Sequence, residues 1–260
     1  MTPPLLLRGA RQLLTLRDAE EPRRGARMQE LGIVPDGSLL AINGLIEEVG
    51  STRRVVNLSK ARGAAVMDAS GCVVLPGFVD ALVDIPMTGQ AAPFLEHGTT
   101  ALRCRNAPGK VLRYLKKLPW LDVAEARAEV AGLDILSPLG AASVAVRERI
   151  DAGEAIALAT AFDGCGVRTH NMQAAIALAC LYMGLTAAEA ITAATINAAH
   201  AIGLAGVIGS LDPGKQADVI VLQAPDYRQI PYHFGENLVR AVIKKGRVVY
   251  QRGERTWDGV

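Results

Sequence analysis

Apolar and polar positions divide the chain into a β-rich beginning, an alternating middle and a β-rich end. Short apolar runs bounded by turn residues predict strands at 5–16, 38–42 and 45–49. Asn43-Gly44 stands between the last two runs and predicts a tight hairpin, because both turn residues need a positive φ. Two shorter apolar runs, at 54–58 and 65–68, predict edge strands. The charged, turn-rich stretch 17–36 predicts a loop.

The C-terminal pattern again predicts strands. Asp212-Pro213-Gly214 predicts a turn, and Lys244-Lys245-Gly246 predicts a hairpin. The apolar runs beside these turns lie at 217–222, 239–243 and 247–250. Because both ends of the chain are β, we expect one β-sandwich built from the two termini, residues 1–72 and 206–260.

The middle of the chain, residues 73–205, alternates predicted strands with predicted helices, which is typical of an α/β fold. The run 73–83 is almost wholly apolar, as expected of a parallel strand that is covered on both faces. Ser143 and Asn171 are predicted helix N-caps. Thr186 and Glu189 form a predicted capping box that opens a helix reaching about residue 202. Further strands are predicted at 99–104, 133–136 and 155–162.

Two groups of motifs resemble those of a known protein family. Leu-Pro-Gly-Phe-Val-Asp-Ala at 75–81 resembles the first barrel strand of the amidohydrolase superfamily. The region 150–253 resembles the C-terminal third of its imidazolonepropionase branch, which acts in histidine breakdown. The motifs that carry this second likeness are Asn-Ala-Ala-His-Ala-Ile-Gly at 197–203, Gly-Ser-Leu-Asp-Pro-Gly-Lys-Gln-Ala-Asp at 209–218 and Pro-Tyr-His-Phe-Gly-Glu-Asn at 231–237.

The resemblance implies a metal-dependent-hydrolase fold, in which a composite β domain closes around a βα barrel. A complete (β/α)8 barrel usually needs about 200 to 250 residues. The segment from 76 to 205 has only 130 residues. We therefore expect a partial barrel of four βα units, covering residues 73–205, beside the sandwich.

The same resemblance implies a metal site whose ligand positions are altered here. The family carries a His-x-His pair on the first barrel strand and an aspartate at the end of the last one. These positions hold Leu82, Asp84 and Ala161 in this chain. A catalytic metal lowers the pKa of bound water towards neutrality, and leucine and alanine cannot hold one. No metal or other cofactor is therefore expected.

The leading hypothesis is a degenerate, catalytically inactive homologue that acts as a structural or regulatory partner subunit, or as a small-molecule binder. The alternative is an active amidohydrolase that cleaves a C–N bond of a small cyclic amide, with one zinc or iron ion held in an unrecognised way. Asp84, Asp163 and His170 are the remnant-site candidates, because strand alternation lets them line one mouth.

Binding of a small carboxylate is a further possibility left open by the sequence. Arg103, Arg168 and Asn171 are the candidate binding residues. The remaining histidines, His97, His200 and His233, are expected to have structural roles.

Charge and cysteine content narrow the expected partners. The formal net charge of +2 gives no support for nucleic acid or an anionic membrane surface as partner. The four cysteines show no metal-ligand spacing, which favours reduced thiols in a cytoplasmic protein. A four-strand parallel sheet would leave two open edges, so we expect a homodimer or a complex with a full-length homologue.

Overall fold

The computed structural model describes residues 3–18, 20–125, 128, 130–138 and 145–253, and the mixed α/β class is confirmed. The predicted N-cap Ser143 lies outside these residues.

The strands are β1 Leu5–Leu14, β2 Ile33–Ile42, β3 Leu45–Ser51, β4 Ala65–Asp68, β5 Val73–Pro76, β6 Phe78–Val83, β7 Thr99–Cys104, β8 Asp122–Ala124, β9 Leu133–Leu136, β10 Ala155–Leu158, β11 Val219–Leu222, β12 Val239–Lys244 and β13 Arg247–Gln251. The α-helices are α1 Thr52–Val56, α2 Ala92–Glu96, α3 Gly109–Leu115, α4 Val146–Asp151, α5 Met172–Tyr182, α6 Ala187–Ala193, α7 Ile196–Ala201 and α8 Gln229–Tyr232.

Strands from both ends of the chain share one eight-stranded sheet. Its order is β13-β12-β11-β5-β1-β2-β3, and β4 pairs with β1 off this path. Leu7 and Leu39 from the N-terminal strands pack in the same apolar cluster as Val219 and Ile243 from the C-terminal strands. The two termini therefore form one common core, since neither set of strands buries its apolar face alone.

Two hairpin tips meet at one end of this sheet. Asn43 and Gly44 have φ values of 51° and 86°, and Lys245 and Gly246 have φ values of 50° and 68°, so both predicted hairpins are confirmed. Ala217 donates its backbone N–H to the Gly44 carbonyl at 2.9 Å, which links the first hairpin to the C-terminal strands.

Five parallel strands in two smaller sheets form the middle of the chain. One sheet has the order β6-β7-β8 and the other pairs β9 with β10. The backbone N–H of Asp84 donates to the Phe162 carbonyl at 2.7 Å, so the end of β6 lies beside the segment that follows β10. Strand β8 was not predicted, because three residues are too few to show a periodic pattern.

The apolar run 73–83 forms two strands, since Gly77 divides it between two sheets, and the buried parallel strand expected there is β6, which follows the Pro76-Gly77 step. β5 pairs with β1 and β11, whereas β6 pairs with β7. A Cβ atom on Gly77 would lie 2.2 Å from Thr100 Oγ1, so only glycine allows this close approach. The break joins the large sheet directly to the parallel strands that carry the candidate site.

Other corrections follow from tertiary contacts. The predicted strand at 54–58 is wrong, because helix α1 occupies most of it. The predicted loop at 17–36 contains a short 3-10 helix, Gly25–Gln29, and the first residues of β2. The single helix predicted from Thr186 is broken into α6 and α7, and at the break the Ala194 carbonyl accepts a hydrogen bond from the Val79 N–H at 2.9 Å.

The predicted helix caps at Asn171 and Thr186 are confirmed. Asn171 accepts hydrogen bonds from the N–H groups of Gln173 and Ala174, and Thr186 and Glu189 form the reciprocal capping box. Of the two capped helices, α6 packs on β10, and α5 packs against α6 and α8. No helix in the part of the chain that the structure describes has the length and apolar character needed to cross a bilayer.

Candidate functional site

A cleft of about 290 Å³ opens where β6 and the segment after β10 end. Carboxyl ends of parallel strands are the usual place for ligand sites in α/β folds. Five of the eight described lining residues are apolar and three are charged. The lining residues are Leu82, Val83, Asp84, Arg105, Ala161, Phe162, Asp163 and Val167.

Both carboxylate oxygens of Asp84 accept hydrogen bonds. Its Oδ2 accepts a hydrogen bond from Arg105 Nη2 at 2.6 Å, and its Oδ1 accepts one from the Asn106 backbone N–H at 2.8 Å. The hydrogen bond to Asp84 raises the pKa of the Arg105 guanidinium. Leu82 lines the same cleft through strand alternation but offers only carbon atoms.

The segment after β10 carries Ala161 in a left-handed conformation with φ of 53°. This region is unusual for a residue with a Cβ, and such conformations occur often at ligand sites. Asp163 accepts hydrogen bonds from the N–H groups of Cys165 at 2.8 Å and Val167 at 2.9 Å. Those bonds, first of all the one from Cys165, lower the pKa of the Asp163 carboxyl. Asp163 therefore organises its own loop.

His170 packs beside the cleft. Its ring centroid lies 4.2 Å from that of Phe162 and 4.7 Å from that of Phe94. Burial lowers the pKa of the imidazole, so the neutral ring is favoured in this aromatic setting. The structure thus places His170 behind Phe162, while Asp84 and Asp163 line the cleft itself.

The three candidate binding residues occupy different surroundings. Arg103 is buried and its Nε donates to the Ala81 carbonyl at 2.8 Å. Arg168 is exposed on the loop before α5. Asn171 uses its side-chain oxygen as the N-cap of α5. They do not line the cleft between β6 and β10.

Sequence reasoning missed Asp80, the fully buried carboxyl group that joins β6 to the segment after β10. Its Oδ2 is 2.5 Å from Thr160 Oγ1, and its Oδ1 accepts the Thr160 backbone N–H at 3.0 Å. Burial raises the pKa of Asp80 from 3.8 to about 7, although these hydrogen bonds act in the opposite direction. The signal was an acidic residue inside the apolar run 73–83.

The cleft does not fit the divalent metal that the family resemblance implies. Two of the three ligand positions, Leu82 and Ala161, have no donor atom, and the third, Asp84, is paired with Arg105. Within the described ranges, no group of three or more His, Cys, Asp or Glu side chains could hold a metal ion. A zinc or magnesium site needs several such ligands converging on one point.

Comparison with known proteins places this fold in a family. The sequence profile of the Amidohydrolase family matches residues 120–249, which is half of the chain. The chain belongs to the amidohydrolase family. The match includes β8 to β12 and therefore the segment after β10 that lines the cleft.

The chain is similar over part of its length to curated imidazolonepropionases. It is 50% identical to that of Geobacillus kaustophilus (strain HTA426) over 108 residues, which is 42% of this chain and 26% of the relative. It is 52% identical to that of Porphyromonas gingivalis (strain W83) over 104 residues, which is 40% of this chain and 25% of the relative. The matched segment thus spans about a quarter of these curated relatives.

Solved structures of low sequence identity show the same fold. Escherichia coli guanine deaminase has a TM-score of 0.73 at 14% identity and covers 97% of this chain and 100% of its own. A. niger ochratoxinase has a TM-score of 0.73 at 15% identity, and the match covers 98% of this chain and 97% of the ochratoxinase chain. An adenosine deaminase from Xanthomonas campestris with bound zinc has a TM-score of 0.66 at 14% identity, covering 98% and 94%.

Proposed function

We propose that this chain is an amidohydrolase-family protein without metal-dependent catalysis, which serves as a structural or regulatory subunit. The observation that carries the proposal is the cleft, where Leu82 and Ala161 stand at two ligand positions and Asp84 is paired with Arg105. Hydrolysis of an amide at neutral pH requires an activated water, and a bound metal supplies it by lowering the pKa of that water to about 7. Side chains without donor atoms cannot hold such an ion.

The proposal includes a composite architecture. Residues 1–72 and 206–260 would form the β-sandwich domain, and residues 73–205 would form a shortened barrel. Support comes from a buried link between the two parts: Lys244 Nζ contacts Asp218 Oδ2 at 2.6 Å and Asp122 Oδ2 at 2.7 Å. Such a network is expected of a protein whose fold is maintained, because unpaired buried charges are strongly destabilising.

A hydrolysis assay with imidazolone propionate tests the proposal. The purified chain is incubated with zinc or iron salts, and a full-length imidazolonepropionase serves as the positive control. We expect no turnover above the buffer blank under conditions in which the control consumes its substrate. Saturable turnover that co-purifies with the chain, and that is lost on chelation, would contradict the proposal.

The second candidate is an active amidohydrolase on a small cyclic amide. The identity of 50% over 108 residues to an imidazolonepropionase favours it. This candidate requires zinc or iron ligands outside the cleft described above. The same hydrolysis assay distinguishes the two candidates, because only the active enzyme consumes the cyclic amide.

A further inference from the structure

Helix α5 is apolar on all sides. Its sequence, Met-Gln-Ala-Ala-Ile-Ala-Leu-Ala-Cys-Leu-Tyr at 172–182, contains no charged residue. Helices of this composition are normally covered on every side, because a surface helix carries polar residues on its outer side. Leu181 is nevertheless 64% exposed and Tyr182 is 69% exposed. One side of α5 thus meets solvent with a composition that is typical of a covered surface.

The exposed residues of α5 share one stripe. Ala174, Leu178 and Leu181 follow each other at intervals of four and three residues, so they lie on one side of the helix, and Tyr182 lies beside them. Ala174 and Leu178 are half-buried, whereas Ile176, on the opposite side, is buried in the core. The four residues of the stripe form what we call the α5 face.

Helix α8 packs against α5 and enlarges the exposed apolar surface. Tyr232 at its end is 83% exposed, and Phe234, two residues later, is 56% exposed. With about 200 Å² for a whole aromatic side chain, these two residues, Leu181 and Tyr182 together expose about 500 Å². Two copies that cover each other here bury about 1,000 Å², which is the smallest total area expected of a specific interface.

Exposed charges of opposite sign lie at the two ends of α5. Arg168 is exposed three residues before the N-cap Asn171. At the other end, Arg147 Nη1 donates to the carbonyl of Gly184 at 3.4 Å, and Arg147 Nη2 pairs at 2.6 Å with Asp151, which is 64% exposed. A cation gains nothing from the positive N-terminal end of its own helix, but the negative C-terminal end of an antiparallel neighbour attracts it. The ends of α5 are therefore complementary to those of a second, antiparallel α5.

We propose that a second copy of this chain packs its α5 face against that of the first, around a twofold axis near Leu178. In such a pair the same patch meets itself, so the contact closes at two copies. The two α5 helices run antiparallel, which brings Arg168 of each copy towards Asp151 of the other. The homodimer expected from the sequence is thereby assigned to a helix face. The inference goes beyond the proposed function, because it holds for an inactive subunit and for an active enzyme alike.

Light scattering with one charged substitution tests the α5 face. At micromolar concentration we expect twice the chain mass of 27.5 kDa for the wild type. Leu181→Arg places a charge in the apolar contact and should give a monomer with an unchanged far-UV circular dichroism spectrum. Val66→Arg is the matched control, because Val66 is 55% exposed on β4 of the large sheet, and this variant should remain dimeric. A dimeric Leu181→Arg variant would overturn the inference, and so would a monomeric wild type, including one that pairs only with a full-length homologue.

Directed cross-linking measures the orientation and keeps the test decisive if Leu181→Arg fails to fold. The background carries Cys165→Ser and Cys180→Ser, and the proposed axis places residue 174 of one copy beside residue 182 of the other. The double variant Ala174→Cys with Tyr182→Cys should therefore form a reducible covalent dimer under mild oxidation. Each single variant should stay uncrosslinked, because the two copies of one position are about 12 Å apart along the helix axis. Cross-linking of the single variants, or none in the double variant, would overturn the inference.

The hydrolysis assay on the same preparation separates this inference from the proposed function. A dimer that hydrolyses imidazolone propionate would sustain the α5 contact and contradict the proposed function. An inactive monomer would contradict the α5 contact and leave the proposed function intact.

Discussion

The buried carboxyl group of Asp80 should make the protein less stable as the pH rises through the neutral range. Its side chain is fully buried between β6 and the segment after β10, and its hydrogen-bond partners Thr160 and Leu82 are neutral. Burial without a compensating cation disfavours the charged form, which is why the pKa rises to about 7.

The sign of the effect follows from proton binding. The folded protein holds the Asp80 proton more tightly than the unfolded chain, whose carboxyl has the ordinary pKa of 3.8. The stabilising contribution is therefore fully present below pH 3.8 and is lost as the pH rises through the folded-state pKa of about 7. A pKa difference of about 3 units corresponds to roughly 4 kcal/mol of unfolding free energy, or about 1.4 kcal/mol per pH unit.

Urea unfolding of the wild type and of Asp80→Asn between pH 5 and pH 8 measures this contribution. Asparagine keeps the size of the side chain and its bonds to Thr160, but it does not titrate. The unfolding free energy of the variant relative to the wild type should rise by about 2 kcal/mol between pH 5 and pH 7, and by less than about 0.5 kcal/mol more between pH 7 and pH 8. Taking the difference removes the histidine titrations that both proteins share.

Asp163→Asn is the matched control. The pKa of Asp163 is lowered by loop hydrogen bonds, so its carboxyl is ionised throughout this pH range. The difference in unfolding free energy between Asp163→Asn and the wild type should not vary between pH 5 and pH 8. If this difference is also constant for Asp80→Asn, the assignment of a raised pKa to Asp80 is refuted.

Three further substitutions should destabilise the fold in urea unfolding. Lys244→Met removes the cation that two carboxylates share inside the protein, and should cost about 3 to 5 kcal/mol. Arg147→Ala leaves the buried carboxylate of Glu189 without its charged partner, and should cost a similar amount. Gly77→Ala forces a Cβ against Thr100 Oγ1, only 2.2 Å away, and should cost about 1 to 3 kcal/mol.

Each of these variants has a control close by. Lys245 is 51% exposed, so Lys245→Met removes the same charge from the surface. Asp151, which also pairs with Arg147, is 64% exposed, and Asp151→Ala removes only this exposed ion pair of Arg147. Gly206 has no atom within 4 Å of an added Cβ, so Gly206→Ala is free of the clash. The unfolding free energy of each control should stay within about 0.5 kcal/mol of the wild-type value. A control that is destabilised as much as its buried counterpart would contradict the expectation that burial of the altered group causes the loss of stability.

Local chemistry made several elements predictable from the sequence. Asn43-Gly44 and the turn before Arg247 were found because two-residue hairpins demand positive φ. The capping box at Thr186 was found because its partners lie three residues apart. Where the deciding contact is distant in sequence, prediction failed: β5 and β6 belong to different sheets because their partners β11 and β7 lie in different parts of the chain.

The candidate site was also predictable only in part from the sequence. Strand alternation and family resemblance pointed to Leu82, Asp84 and Ala161, and these residues line one cleft. The partner of Asp84 could not be foreseen, since Arg105 lies 21 residues away and meets it only because β6 and β7 are parallel neighbours. Asp80 carried a visible signal, an acid in an apolar run, but its function as a link to Thr160 required the fold.

Metal content tests the central claim most directly. The chain is expressed in medium supplemented with zinc and iron, purified without chelator, dialysed, and analysed for both metals alongside a full-length imidazolonepropionase. The side chains at Leu82, Asp84 and Ala161 predict far less than one ion per chain after dialysis. One tightly held zinc or iron ion per chain would contradict the claim.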